Sequence, residues 1–182
     1  MTRGPTLPAH PPPYLPRPLD AFNTAADEEV RTLLLRCLRS PRWSRRLADH
    51  RPYPDLDALL AAADEAAYDL SPGELAQALA GESLPELPED TYSAAHMALS
   101  AAQAAYEARF GHGFVLYLGD VPPDETLDRI LEAIRSRLTN DPEEERVTAA
   151  EELRRLARGR IGQFLGATGS RASSTNAPLS GK

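Results

Sequence analysis

The stretch Y-E-A-R-F-G-H-G-F-V-L-Y-L, Tyr106 to Leu118, decides the fold class, because it breaks an otherwise helical pattern. Phe114 to Leu118 are consecutive apolar residues, with Gly111 and Gly113 before them and Gly119-Asp120 after. Such a run predicts a short buried extended segment. No other stretch reads as a strand, so the segment has no partner to pair with. Buried backbone N–H and C=O groups must nevertheless find hydrogen bonds. Two readings follow: the segment offers its donors and acceptors to an amide-rich ligand, or it is a connector satisfied by side chains and water.

Outward from this stretch the period is helical. Val30, Leu33, Leu34, Cys37 and Leu38 recur at i, i+3, i+4, i+7 and i+8 on one helix face. Pro41 opens a short helix carrying Trp43 and Leu47, and Arg51-Pro52 closes it, since proline pushes the preceding residue out of helical geometry. Leu56, Leu59, Leu60 and Ala63 mark a third helix. Ser71-Pro72-Gly73-Glu74 is a capping-box pattern for a fourth. Residues 82–88 read as a loop. A long alanine-rich helix runs from about Asp90 to Phe110, and Pro122-Pro123-Asp124-Glu125 starts the next. Asp141-Pro142 starts the last helix, with three glutamates in its first turn complementing the helix dipole. That helix turns Val147, Ala150, Leu153, Leu156, Ala157, Phe164 and Leu165 inward. The prediction is an all-α single domain of six to eight helices with one short extended segment. The prolines of residues 1–18 make a flexible arm, 19–166 form the domain, and 167–182 form a disordered tail.

A chain of 182 residues suits one domain with a real core. Its net charge of -7 argues against nucleic acid or an anionic membrane as partner. One cysteine, Cys37, excludes an intramolecular disulfide, and four scattered histidines give no metal-site spacing, so no metal is expected. The proline-rich start has no signal-peptide h-region, and no apolar run nears the roughly 18 residues that span a bilayer. A cytoplasmic protein is expected.

Arg160 sits midway between Leu156 and Phe164 on the inward stripe of the last helix. Arginine is rarely buried without a partner, and its planar fork suits a carboxylate or a ureido oxygen. The alternative is snorkelling, or pairing with Glu151 or Glu152. His96 on the long helix and His112 beside the extended segment are candidates for proton transfer. Cys37 reads as a core side chain, and Glu82 as a surface carboxylate. Gly111-His112-Gly113 lacks the length and context of a phosphate loop.

The motifs C-L-R-S-P-R-W (Cys37 to Trp43), R-P-Y (Arg51 to Tyr53), A-A-D-E-A-A-Y-D-L-S (Ala62 to Ser71), Y-E-A-R-F-G, F-V-L-Y-L, R-L-T-N-D-P-E-E-E (Arg137 to Glu145) and E-L-R-R-L-A-R-G-R-I follow in one order. Over roughly residues 20 to 165, this series resembles the OHCU decarboxylase family. The resemblance implies a cofactor-free, all-helical, usually dimeric enzyme of urate catabolism. Such an enzyme converts 2-oxo-4-hydroxy-4-carboxy-5-ureidoimidazoline (OHCU) to S-allantoin with loss of carbon dioxide. It implies substrate contacts from Phe114, Val115, Leu116, Tyr117 and Leu118, with Arg160 facing the anionic substrate. The family's His-Pro pair after the fourth helix is missing, since this chain reads Ala80-Gly81-Glu82-Ser83-Leu84-Pro85. Its Ser-x-x-Glu-Gln helix is represented only by Ser93-Ala94-Ala95-His96-Met97. No catalytic side chain matches the family, which leaves His96, Glu82 and His112 as stand-ins. The alternatives are a catalytically impaired relative that binds a ureido ligand or a protein partner, and a lyase with a different small substrate.

Overall fold

A computed structural model describes residues 18–84 and 93–166. The proline-rich arm up to residue 17, the tail, and residues 85–92 of the loop and long-helix start lie outside them. The described residues form α1 (Pro18–Thr24), α2 (Asp27–Cys37), α3 (Pro41–Asp49), α4 (Leu56–Tyr68), α5 (Pro72–Ala80), α6 (Ser93–Phe110), α7 (Thr126–Arg137) and α8 (Pro142–Gly166), with no strand among them. None of these helices is long and apolar enough to cross a membrane.

The helix starts follow side-chain chemistry legible in the sequence. The Ser40 hydroxyl accepts from Trp43 N at 3.2 Å, and Asp55 Oδ1 accepts from Ala58 N at 2.8 Å. At α5 the reciprocal box forms: Glu74 N donates to Ser71 Oγ at 3.3 Å, and Ser71 N donates to Glu74 Oε2 at 2.8 Å. Asp141 caps α8 by accepting from Glu143 N and Glu144 N, both at 2.9 Å. Three differences from the sequence reading have clear causes. The short α1 was not anticipated; it is held by Arg51, whose Nη1 donates to Phe22 O and Ala25 O at 2.8 Å each, a partner far away in sequence. Pro122 and Pro123 form a turn closed by Glu125 N to Pro122 O at 3.0 Å, so α7 begins only at Thr126. Val147 faces solvent, because the inward stripe of α8 is Glu145, Ala149, Glu152, Leu153, Ala157 and Ile161.

Two apolar clusters result. Helices α1 to α5 close on the face of α8 that carries Ala149, Leu153, Ala157 and Ile161, with Leu34, Leu38, Trp43 and Leu59 fully buried. Trp43 Nε1 donates to Ala63 O at 2.9 Å, which ties α3 to α4. A smaller cluster joins α6 and α7 through Leu99, Tyr106, Ile130 and Ile134. The segment 114–118 runs between the two. Val115 belongs to the larger cluster, whereas Phe114, Leu116 and Leu118 pack in the smaller one. This is the period-two alternation of extended backbone, used here to join two helical layers.

Cys37 is fully buried, and burial pushes its thiol from 9.0 up to about 11. Between those values the unfolded chain loses a proton that the folded chain keeps, so stability falls as pH rises from 9 to 11. Urea unfolding of Cys37→Ala should show a shallower decline over that window than the unaltered protein. Leu34→Ala, which empties a site without solvent contact, should cost roughly 2–5 kcal/mol in the same assay.

Candidate functional site

Two glycines in left-handed geometry set the ends of the extended segment, Gly111 at φ 77° and Gly119 at φ 55°. Between them, Phe114 to Tyr117 make no main-chain to main-chain hydrogen bond among the described residues. Side chains answer part of the need. Arg137 Nη1 donates to Val115 O at 2.6 Å, and Tyr117 N donates to Glu152 Oε2 at 2.8 Å. The connector reading therefore holds for these two groups, while the other main-chain groups of 114–117 have no hydrogen-bond partner among the described residues.

Arg137 belongs to a buried polar network. Its Nε donates to Glu145 Oε1 at 2.9 Å, its Nη2 also reaches Glu145, and Nη2 donates to the Tyr106 hydroxyl at 3.2 Å. The Tyr106 hydroxyl in turn donates to Glu145, and Asn140 Nδ2 donates to Glu145 Oε2 at 2.9 Å. The guanidinium lies 4.5 Å over the Phe114 ring. Burial, then the bond to Glu145, hold the Tyr106 phenol well above its ordinary range. Glu145 has no solvent exposure, so the third glutamate of α8 is a core anion and not a dipole-facing surface charge.

Beside the segment lies an open cavity of about 460 Å³. Val115 to Gly119 form one wall, Leu156, Gly159, Arg160 and Gln163 of α8 the other, and Ser83 and Leu84 the rim. Gly159 lets the Tyr117 ring lie close against α8: a Cβ there would sit 2.8 Å from Tyr117 Cε2, and the ring would have to shift.

Arg160 reaches the cavity, but its fork is occupied. Nη1 and Nη2 donate to the two oxygens of Glu82 at 2.9 and 2.7 Å, and Nη1 also donates to Cys37 O at 3.0 Å. The bond to Glu82 raises the guanidinium pKa further. Arg160 thus pairs with neither Glu151, which bonds Arg154, nor Glu152, which bonds Arg155 and Tyr117 N. Glu82 is corrected from surface carboxylate to buried partner, its side chain only 5% exposed. Phe114 turns away from the cavity into the smaller core, while Val115, Leu116, Tyr117 and Leu118 line it. His96 is exposed on α6 and is not on the cavity wall. His112 is part-buried, its Nδ1 3.0 Å from Gly113 O and its ring edge-on to Tyr106, also away from the wall.

Arg137, Glu145 and Glu152 escaped the sequence reading as site-forming residues. Arg137 and Glu145 lie within the R-L-T-N-D-P-E-E-E motif, a signal that spacing alone did not convert into a buried pair.

A profile of the OHCU decarboxylase family matches residues 23–162. The chain belongs to the OHCU decarboxylase family. No curated protein sequence matches it. Among solved structures, a crystal structure of (S)-allantoin synthase is similar at 18% identity and a TM-score of 0.66, covering 81% of this chain and 54% of that one. The chain thus spans about half the length of that relative. A crystal structure of OHCU decarboxylase in the presence of (S)-allantoin is similar at 17% identity and a TM-score of 0.66, covering 78% of this chain and 99% of that one. These similarities place the chain in the same all-helical fold.

Removing one partner of the buried pair leaves an uncompensated charge. Arg137→Met or Glu145→Gln should each lower stability by roughly 3–5 kcal/mol in denaturant unfolding, with the double variant far from additive.

Proposed function

We propose that this protein decarboxylates OHCU to (S)-allantoin without a cofactor, in the cavity between the 115–119 main chain and α8. The observation that carries the reading is a cavity wall whose main chain from Val115 to Tyr117 has no main-chain partners among the described residues, in a member of the OHCU decarboxylase family. A planar ureido ring presents alternating N–H and C=O groups, and extended main chain offers the same alternation at matching reach. Leu156 and Leu118 supply apolar surface for the ring to lie against.

The chemistry asked of the site is modest. The bond between the ring carbon and the carboxylate breaks, carbon dioxide leaves, and the electron pair delocalises into the ring. Amide donors fixed by the segment, with the N–H groups of Arg160 that Glu82 and Cys37 leave over, stabilise that charge. A proton delivered to one ring face then sets a single enantiomer. No histidine lines the cavity among the described residues, and the Ser83 and Tyr117 hydroxyls are the neutral proton-bearing groups on its wall. We assign proton delivery to Tyr117, whose ring Gly159 admits against α8. A cytoplasmic location and a homodimer accompany this reading by family membership; light scattering on the purified protein checks the latter.

Circular dichroism of freshly generated OHCU mixed with the protein should show one allantoin enantiomer accumulating faster than the spontaneous reaction. Racemic product at the spontaneous rate, with allantoin still raising the melting temperature, would assign the cavity to ligand binding alone. Tyr117→Phe should slow turnover by about 10²-fold and lower the enantiomeric excess. His96→Ala, an exposed substitution off the cavity wall, should stay within about twofold.

A further inference from the structure

The polar groups on the cavity wall differ in what they have left to give. Val115 O and Tyr117 N are already bonded to Arg137 and Glu152, so the segment keeps only its other main-chain groups for a ligand. Arg160 spends three N–H groups on Glu82 and Cys37 O, two residues that do not line the cavity. Its Nε–H and one Nη2–H stay without a partner among the described residues, a second fork able to hold a carboxylate with Glu82 in place. Gln163 follows one turn later on the same face of α8, and its amide has no hydrogen bond among the described residues. It is exposed and stands where the cavity meets a second open one of about 500 Å³, since Tyr117, Gly119, Gly159 and Gln163 line both.

We propose that Gln163 is the specificity-determining residue for the ureido arm of the ligand. The inference rests on the cavity being the substrate site, and it deepens that reading by dividing the ligand among the groups of the wall. A carboxylated ureidoimidazoline has three polar parts: ring amides, a carboxylate and a ureido arm. The ring amides face the main chain of the segment, and the carboxylate takes the open edge of Arg160. The arm is left to the α8 side beside it, where a primary amide offers two donors and an acceptor. Such an amide answers a ureido group twice, accepting from its N–H while donating to its C=O. The Ser83 hydroxyl carries a single donor, and Leu116, Leu118 and Leu156 carry no polar side-chain atom. The second cavity beyond Gln163 gives the arm room to extend.

Calorimetric titration of the full chain with (S)-allantoin, which carries the arm, and hydantoin, the same ring without it, tests this. The unaltered protein should bind allantoin about tenfold or more tightly than hydantoin. Gln163→Met keeps the length of the side chain and removes its donors and acceptor. It should weaken allantoin roughly fivefold or more and leave hydantoin within about twofold, as the loss of two exposed hydrogen bonds predicts. With OHCU, the same variant should raise KM by a similar factor with kcat nearly unchanged, because the arm is held alike before and during reaction. Equal binding of the two probes by the unaltered protein would overturn the proposal whatever the variant does. So would a parallel loss of both probes in Gln163→Met, or no loss of either. Racemic product at the spontaneous rate would remove the proposed activity instead, and the probe ratio would still decide the role of Gln163. Absence of binding by both probes would overturn the site assignment and this proposal together.

Discussion

A carbonyl oxygen at Val115, buried between two helical layers and with no main-chain donor among the described residues, is answered by one guanidinium. Much else follows from that need. Arg137 must be buried to reach the oxygen, a buried guanidinium must have an anion, and Glu145 supplies it from the first turn of α8. Glu145 must then satisfy its other lone pairs, and Tyr106 and Asn140 do so. One chain of obligations thus links α6, the extended segment, α7 and α8 around a single main-chain atom. The cost of ordering so many groups is offset because each member answers another's hydrogen-bonding need.

At the opposite end of the segment the same logic operates in the reverse sense. There a carboxylate, Glu152, accepts from the amide of Tyr117, and Arg155 neutralises it. The cavity opens beside these two tethers, and between them Leu116 makes no main-chain to main-chain hydrogen bond among the described residues. Arg160 and Glu82 form a third pair that joins the end of α2, the loop after α5 and α8. Arginine–carboxylate pairs therefore position three sides of the site, and α8 contributes a member to each.

The helices were legible because their causes are local. Ser71 and Glu74, Ser40 before Pro41, and Asp141 before Pro142 act within four residues of themselves, and apolar periodicity exposed the faces of α2, α4 and α7. The extended run from Val115 to Leu118 was also legible, from consecutive apolar residues between glycines, although the sequence left open whether it served as a connector or faced a ligand. What escaped was decided by partners far along the chain. Nothing near Glu82 announces Arg160, 78 residues away, and nothing near Glu145 distinguishes it from Glu143 and Glu144. Val147 misled because the stripe that α8 buries carries Glu145 and Glu152 beside Ala149, Leu153, Ala157 and Ile161, and charged residues on a buried stripe hide its phase. The histidines misled because their chemistry is suggestive wherever they fall, whereas reach to the cavity depends on tertiary packing.

The alternation of Phe114, Val115 and Leu116 between the two clusters, with Tyr117 set against Gly159 of α8, has a consequence for how such a chain can vary in length. A loop on the surface tolerates an inserted residue, but here one extra residue would exchange the facing of all that follow. Leu116 and Leu118 would be sent toward α8, and Tyr117 away from Gly159. The Val115 oxygen would leave Arg137 at the same stroke. The spacing from Gly111 to Gly119 therefore behaves as a fixed ruler.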